Sequence, residues 1–308
     1  VTITVVGSIN VDESIYLKEF PEAGETVFSH STKQYIGGKG FNQAYALHQL
    51  GEEVHFIASI GNDANAQLIQ NTFQEAQLST QGLKRVETSS GKAVIMISDS
   101  SENRIIVDSG ANAQLKPEDL DQHAQVIQAS KALVLQLESP SETVIKALEL
   151  ARAKQVTTIL NPAPASTTNL RMLTHTDILI PNEGELAFIL RILDKAGYKG
   201  AGIQTLFELG IKVVIVTLGS KGAKIYYQNG TTEVVAGQKV KAIDTTAAGD
   251  SFVGTFAKYY TQMQDIKVAV EYANLMGALT VQTKGSASSI VNLESFEKYA
   301  KEVNNQLN

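Results

Sequence analysis

Short runs rich in Val and Ile recur along the chain between segments long enough to be helices, and this alternation restricts it to few architectures. The runs fall at 3–6, 54–59, 132–137, 157–160, 178–180 and 213–217. They are near-continuously apolar, which marks strands buried on both faces, and parallel neighbours need a crossover of about a dozen residues or more. Helices are expected over 42–50, 65–75, 117–128, 141–153, 184–192, 251–260, 266–281 and 293–304, several opened by a cap such as Ser141 or Asp265. The pattern predicts an α/β fold with a central mostly parallel sheet between helices, and 308 residues are enough for one large domain or two small ones. Two stretches, 14–36 and 91–107, carry β-type runs at 25–30, 93–97 and 104–107 with no long helix between them. They are either extra strands of the main sheet or a small separate sheet. A small sheet showing Ile95, Ile97, Ile105 and Val107 on one face would need covering by substrate or partner.

Composition narrows the class of function. An apolar content of 43% over 308 residues supports a substantial core, and no segment reads as disordered. The longest apolar runs fall far short of the roughly 20 residues that span a bilayer, so no membrane contact is expected. The first residues alternate like a strand and lack a signal-peptide pattern. The chain has no cysteine, which excludes disulfides, thiolate nucleophiles and thiolate metal sites, and a cytoplasmic enzyme is expected. Net charge is −6 with scattered basic residues, leaving no electrostatic footprint for nucleic acid.

The chemistry concentrates at Asp244-Thr245-Thr246-Ala247-Ala248-Gly249-Asp250. Small residues at 247–249 would leave backbone N–H groups bare at a helix start, a cradle for an anion, and Asp250 would stand there as a base held ionised by the helix dipole. An ordinary N-cap accounts for the same residues when they are taken alone. Neither G-x-G-x-x-G nor G-x-x-x-x-G-K-[ST] occurs, which disfavours a dinucleotide dehydrogenase and a P-loop ATPase. Four further motifs stand in order: Gly37-Gly38-Lys39-Gly40 before Asn42, Asn161-Pro162-Ala163-Pro164-Ala165, Asn182-Glu183-Gly184-Glu185, and Thr217-Leu218-Gly219-Ser220-Lys221-Gly222. Read singly, these are a flexible loop, a strand end, an exposed capping pair and a tight turn. Glu138 reads equally well as a strand-end carboxylate facing water.

With Gly7-Ser8-Ile9-Asn10-Val11-Asp12 at the start, the order and spacing of these motifs resemble the ribokinase-like (PfkB) carbohydrate kinases over essentially the whole chain. The resemblance implies a three-layer αβα fold with a small antiparallel lid, formed by the 14–36 and 91–107 segments, that covers the sugar site and joins a homodimer. It implies ATP-dependent phosphorylation of D-ribose at O5, favoured within the family by Ala247-Ala248, by Asn10 with Asp12, and by 161–165. Asp250 is then the proton acceptor, and the Ala247, Ala248, Gly249 and Asp250 N–H groups hold the transferred phosphoryl. Asn10, Asp12, Gly38, Lys39, Asn42 and Glu138 bind the sugar, while Asn182, Thr217, Gly219, Ser220, Gly222, Gly249 and Asn274 line the nucleotide. Glu185 serves Mg²⁺ through water. Asp244, Thr246, Thr280, Thr283, Gly285 and Ser289 surround K⁺, where an N-cap or Asx-turn explains Asp244 nearly as well. Ala269, Ala273 and Met276 are read as helix core. Kinases of deoxyribose, fructose or nucleosides remain as alternatives, as does a catalytically silent sugar-binding regulator, against which retention of Asp250 argues.

Overall fold

The computed structural model describes residues 2–100 and 102–307; Val1, Asn308 and Ser101, which falls in the expected lid segment, lie outside the described residues. The strands, in chain order, are β1 (Ile3–Val6), β2 (Asn10–Leu17), β3 (Ser29–Gly37), β4 (Val54–Ile60), β5 (Leu83–Arg85), β6 (Gly91–Ser98), β7 (Asn103–Asp108), β8 (Ala132–Leu135), β9 (Thr157–Leu160), β10 (Ile178–Leu179), β11 (Val213–Thr217), β12 (Gly222–Tyr227) and β13 (Thr232–Ala236). Nine form one sheet in the order β13-β12-β11-β10-β9-β8-β1-β4-β5, parallel from β11 to β5 with the β12–β13 hairpin antiparallel at one edge.

Period-two alternation divides each central strand between two cores. Ile3, Val5, Ala132, Val134, Val213 and Ile215 pack with the helices Lys39–Gln49, Ala248–Met263 and Ile266–Thr280. Val6, Leu133, Leu135, Val214 and Val216 pack with Ser141–Arg152, Glu183–Lys195 and Ile203–Glu208 on the other face. Burial on both sides is why these strands are apolar throughout, and the three-layer expectation holds.

The remaining four strands form a separate sheet, β3-β2-β6-β7, in keeping with the expected lid. Three expectations are corrected. The small sheet is not purely antiparallel, because β2 runs parallel to β6. It begins at Asn10 rather than near 14, so Asn10 and Asp12 are lid-strand residues, and its second strand starts at Ser29 rather than 25. Of the four apolar residues expected on one open face, Ile95 is buried and Ile97 half-buried, while Ile105 and Val107 remain 55% and 52% exposed.

Helix boundaries also move. The expected helix at 117–128 is a 3₁₀ segment, Pro117–His123, followed by a short α-helix, Ala124–Ala129. The helix expected from 42 begins at Lys39, and the one expected from 251 begins at Ala248, so the small residues before each lie inside the first turn or at its cap. Short β5 and the β12–β13 hairpin carry too little apolar pattern to stand out in the sequence.

Candidate active site

The chain passes from the main sheet into the lid between β1 and β2, and Asn10 pairs with both Gly37 and Gly91 at the lid base. Gly38, at φ 90°, then caps Lys39–Gln49; a Cβ there would lie 2.9 Å from the Asn10 nitrogen, so only glycine fits. A cavity of about 360 Å³ lies under the lid and above the carboxyl ends of the strands, where open α/β sheets place ligands. Asn10, Asp12, Gly38, Lys39, Asn42 and Glu138, all expected to hold the acceptor, line it together. A second cavity of about 250 Å³ is lined by Gly219, Ser220, Gly222 and Asn274, and Thr217 and Gly249 line both. Asn182 and Glu185 fall on the first cavity rather than the second.

The anion loop sits at the junction. Ala247 caps the helix Ala248–Met263 in the left-handed region (φ 61°), a conformation costing a non-glycine residue roughly 1–2 kcal/mol. The turn leaves the N–H groups of Ala247, Gly249 and Asp250 without intramolecular partners among the described residues. Ala248 departs from expectation: its N–H donates to the Thr245 carbonyl at 3.3 Å.

Asp250 is buried, and both of its oxygens are engaged. Asn42 Nδ2 donates to Oδ2 at 2.9 Å and Gln43 Nε2 to Oδ1 at 3.1 Å. The expectation of a carboxylate kept ionised by the helix dipole needs correction, because burial raises its pKa against the opposing pull of Lys39, Asn42 and Gln43. Asp12 is pushed up to about 7, first by burial, with the Ser286 hydrogen bond lowering it and Glu138 and Asp250 adding repulsion. Lys39 is raised by Asp250 foremost, and Glu138, Glu185 and Asp12 also face it. One ammonium thus confronts four carboxylates.

The surrounding contacts fix polarity. Asn10 Oδ1 accepts from Asn112 Nδ2 at 2.7 Å, which leaves its own N–H groups for the cavity. Glu138 Oε2 accepts from Ser8 Oγ at 2.6 Å and from the Lys39 N–H at 3.0 Å, so it is no water-facing strand end. Asn182 and Glu185 form a reciprocal capping box, each side chain accepting at 2.8 Å from the other's N–H; Glu185 is nevertheless raised in pKa, by burial above all. The capping and cavity-lining roles coexist. Asn274 donates to the Val235 and Ala236 carbonyls, at 3.1 and 3.3 Å, clamping β13 to its helix. Ala269, Ala273 and Met276 are fully buried, as core residues should be.

Asp244 is both an Asx-turn and a strap. Its Oδ1 accepts from the Thr246 N–H at 2.9 Å and its Oδ2 from the Gly285 N–H at 3.1 Å. Thr280 Oγ1 lies 2.9 Å from both Ser251 Oγ and the Met276 carbonyl, so its hydroxyl is spent inside the fold. Gln43, Asn112 and Ser286 were not singled out from the sequence. An amide or hydroxyl beside a motif carries no periodic signal, and only the folded contacts show what it holds.

The same architecture recurs in solved structures, and the sequence matches a known family. The model of the pfkB family carbohydrate kinases matches residues 2–293. A ribokinase of Staphylococcus aureus is 36% identical over 297 residues, covering 95% of this chain and 97% of that one. A deoxyribokinase of Salmonella typhi is also 36% identical, over 300 residues, covering 96% and 98%. The solved structure of Arabidopsis thaliana ribokinase complexed with ribose and ATP superposes with a TM-score of 0.86 at 28% identity, over 97% of this chain and 98% of that one. With the match running through lid, anion loop and both cavities, the chain belongs to the pfkB family of carbohydrate kinases.

Proposed function

We propose that the protein transfers the γ-phosphoryl group of ATP to O5 of D-ribose, giving D-ribose 5-phosphate and ADP. One observation carries this reading: Asp250 stands beside unpaired N–H groups where a polar cavity of sugar size meets a second cavity. Asp250 accepts the proton of the attacking hydroxyl, and its raised pKa makes it a better base than an exposed aspartate. The N–H groups of Ala247, Gly249 and Asp250 meet charge developing on the transferred group. Asn10, Asp12, Gly38, Lys39, Asn42 and Glu138 hold the sugar, and Asn182, Thr217, Gly219, Ser220, Gly222 and Asn274 the nucleotide. A similar structure, Arabidopsis thaliana ribokinase, was solved with ribose and ATP, which supports these two ligands.

Four carboxylates against one lysine make the cavity hostile to polyphosphate without added positive charge. Glu185, whose Oε2 accepts from the Asn182 N–H and whose Oε1 accepts no hydrogen bond among the described residues, fits a Mg²⁺ held through water, which when bound would neutralise nucleotide phosphate charge. The carbonyls of Thr246, Thr283, Gly285 and Ser289 accept no hydrogen bond among the described residues, a hard-oxygen set that with Asp244 fits K⁺. A second copy seated on the lid would cover Ile105, Ile106 and Val107, and a sedimentation mass of two chains is expected; a single-chain mass would remove the dimer from this reading.

Asp250→Asn is expected to bind ribose and fold normally while turnover falls roughly 100-fold or more, as read by ADP release. Near-normal turnover would show that Asp250 is not the base. Since the carboxylate form must be present and its pKa is raised, wild-type turnover should decline on acidification at a pH above the ordinary aspartate range. That decline should vanish from the residual activity of Asp250→Asn.

Asp244 joins the cation loop to the anion loop, so K⁺ should raise turnover over Na⁺ or a bulky organic cation at matched ionic strength, and Asp244→Ala should blunt the difference. Equal rates in all three salts would dismiss the site.

The competing acceptor is 2-deoxyribose, favoured by a deoxyribokinase as similar as the ribokinase. Asn112 fixes Asn10 with its N–H groups free, so Asn10 is assigned to the 2-hydroxyl. Leaving such a group unpaired costs about 1–3 kcal/mol, so kcat/KM should favour ribose by about 5- to 150-fold. Asn10→Leu should narrow that ratio mainly by harming ribose. Equal use of both sugars by the wild type would move deoxyribose kinase ahead.

A further inference from the structure

We propose that Gln43 is a positioning residue for phosphoryl transfer: through an amide whose direction is set by Gln136 and Asn161, it holds the Asp250 carboxylate in line with the acceptor hydroxyl. The proposal rests on Asp250 as the proton acceptor and adds a residue that touches neither substrate.

Gln43 follows Asn42 on the helix Lys39–Gln49, but the two side chains face different surroundings. Asn42 lines the cavity, whereas Gln43 is fully buried beneath it. Its position depends on close helix contact. A Cβ on Gly254, one turn beyond Asp250, would lie 2.7 Å from the Gln43 carbonyl, so glycine there lets the two helices meet.

The direction of the Gln43 amide is fixed from two sides. Gln136 Nε2 donates to Gln43 Oε1 at 2.6 Å, which turns Gln43 Nε2 toward Asp250 Oδ1. Asn161 Nδ2 donates to the Ile180 carbonyl at 2.9 Å, so Asn161 presents Oδ1, and Gln43 Nε2 donates to it at 3.2 Å. A flipped Gln43 would aim its oxygen at a carboxylate and at another amide oxygen, while leaving Gln136 facing an N–H₂ group. The backbone carbonyl of Ile180, the residue after β10, thereby dictates which atom meets the catalytic carboxylate.

Asn42 grips the other oxygen, and the two donors together define the carboxylate plane. The charged groups facing Asp250 are Lys39 from the same helix as Gln43, Glu138 beyond β8, Glu185 from the helix Glu183–Lys195 and Asp12 from β2. Gln43 supplies a neutral donor that favours the ionised form against burial and the three acidic neighbours.

The test measures kcat and KM for the acceptor against pH in the wild type, Gln43→Met, Gln136→Met, Asp250→Asn and the Gln43→Met, Asp250→Asn double variant. Met keeps the length of Gln43 but donates nothing. Gln43→Met should lower kcat by about 10- to 100-fold with KM little changed. The acid limb of its kcat profile should move upward by about one pH unit. Added to Asp250→Asn, it should cost little more, because it acts through the missing carboxylate. A wild-type profile, a change in KM alone, or the same loss with and without Asp250 would overturn the proposal. Should Gln43→Met not fold, Gln136→Met carries the test. Met keeps the length of Gln136, removes its buried Oε1, which has no hydrogen-bond partner among the described residues, and releases the Gln43 amide. A smaller shift in the same direction is expected, and an unmoved acid limb overturns the proposal. Near-normal turnover by Asp250→Asn would defeat the base assignment itself, whereas an inactive Asp250→Asn beside an unaltered Gln43→Met would defeat only the role of Gln43.

Discussion

Lys39 places a single ammonium among the carboxylates of Asp12, Glu138, Glu185 and Asp250, which come from four different parts of the fold. Charges this close and this buried repel strongly, so the fold must hold them by hydrogen bonds that the cavity itself does not provide. It does so for three of them: Glu138 by Ser8 and the Lys39 N–H, Glu185 by the Asn182 N–H, and Asp250 by two amides. The tension is largest where desolvation is largest, which is why Asp12 and Asp250 are both raised. A site so arranged favours ligands that bring donors or positive charge, and a polyol with a metal-bound polyphosphate brings both.

Topology makes that convergence possible. Parallel strands deliver their carboxyl ends to one edge of the sheet, so β8, β10 and β11 bring Glu138, Asn182 and Thr217 to the same rim. The lid is reached directly from β1, and its first strand carries Asn10 and Asp12 over that rim. Mixed pairing follows from the same path. Because β2 leaves the body and β6 re-enters the lid at its base, both run outward from Asn10 and Gly91 and must be parallel.

The central strands were legible in the sequence because two-sided burial makes each one a continuous apolar word. The helix starts at Lys39 and Ala248 were less so, since glycine and alanine runs before them look like loop until their cap geometry is known. The lid showed as β-type residues outside the αβ alternation, but its register was hidden, as it depends on pairing between residues some 80 apart. The motif residues expected around Asp250 from the family resemblance line one cavity with it. What the sequence concealed is the polar layer beneath them, Gln43, Gln136 and Asn112, because a buried amide is specified by its partners and by no local pattern.

That hidden layer bears on how the site discriminates. An amide can present either a donor or an acceptor, and the choice at the cavity wall is made one residue away from it. Asn112 is pinned by giving and receiving hydrogen bonds with the Ile9 backbone, so Asn10 must offer N–H groups to the cavity. Asn161 is pinned by the Ile180 carbonyl, so Gln43 must offer N–H to Asp250. In both cases backbone polarity, which no substitution removes, is relayed by one side chain to the group that meets the ligand or the base. The donor that Asn10 turns to the cavity and the donor that Gln43 turns to Asp250 are thus set in the same way, by a backbone group acting through one buried amide.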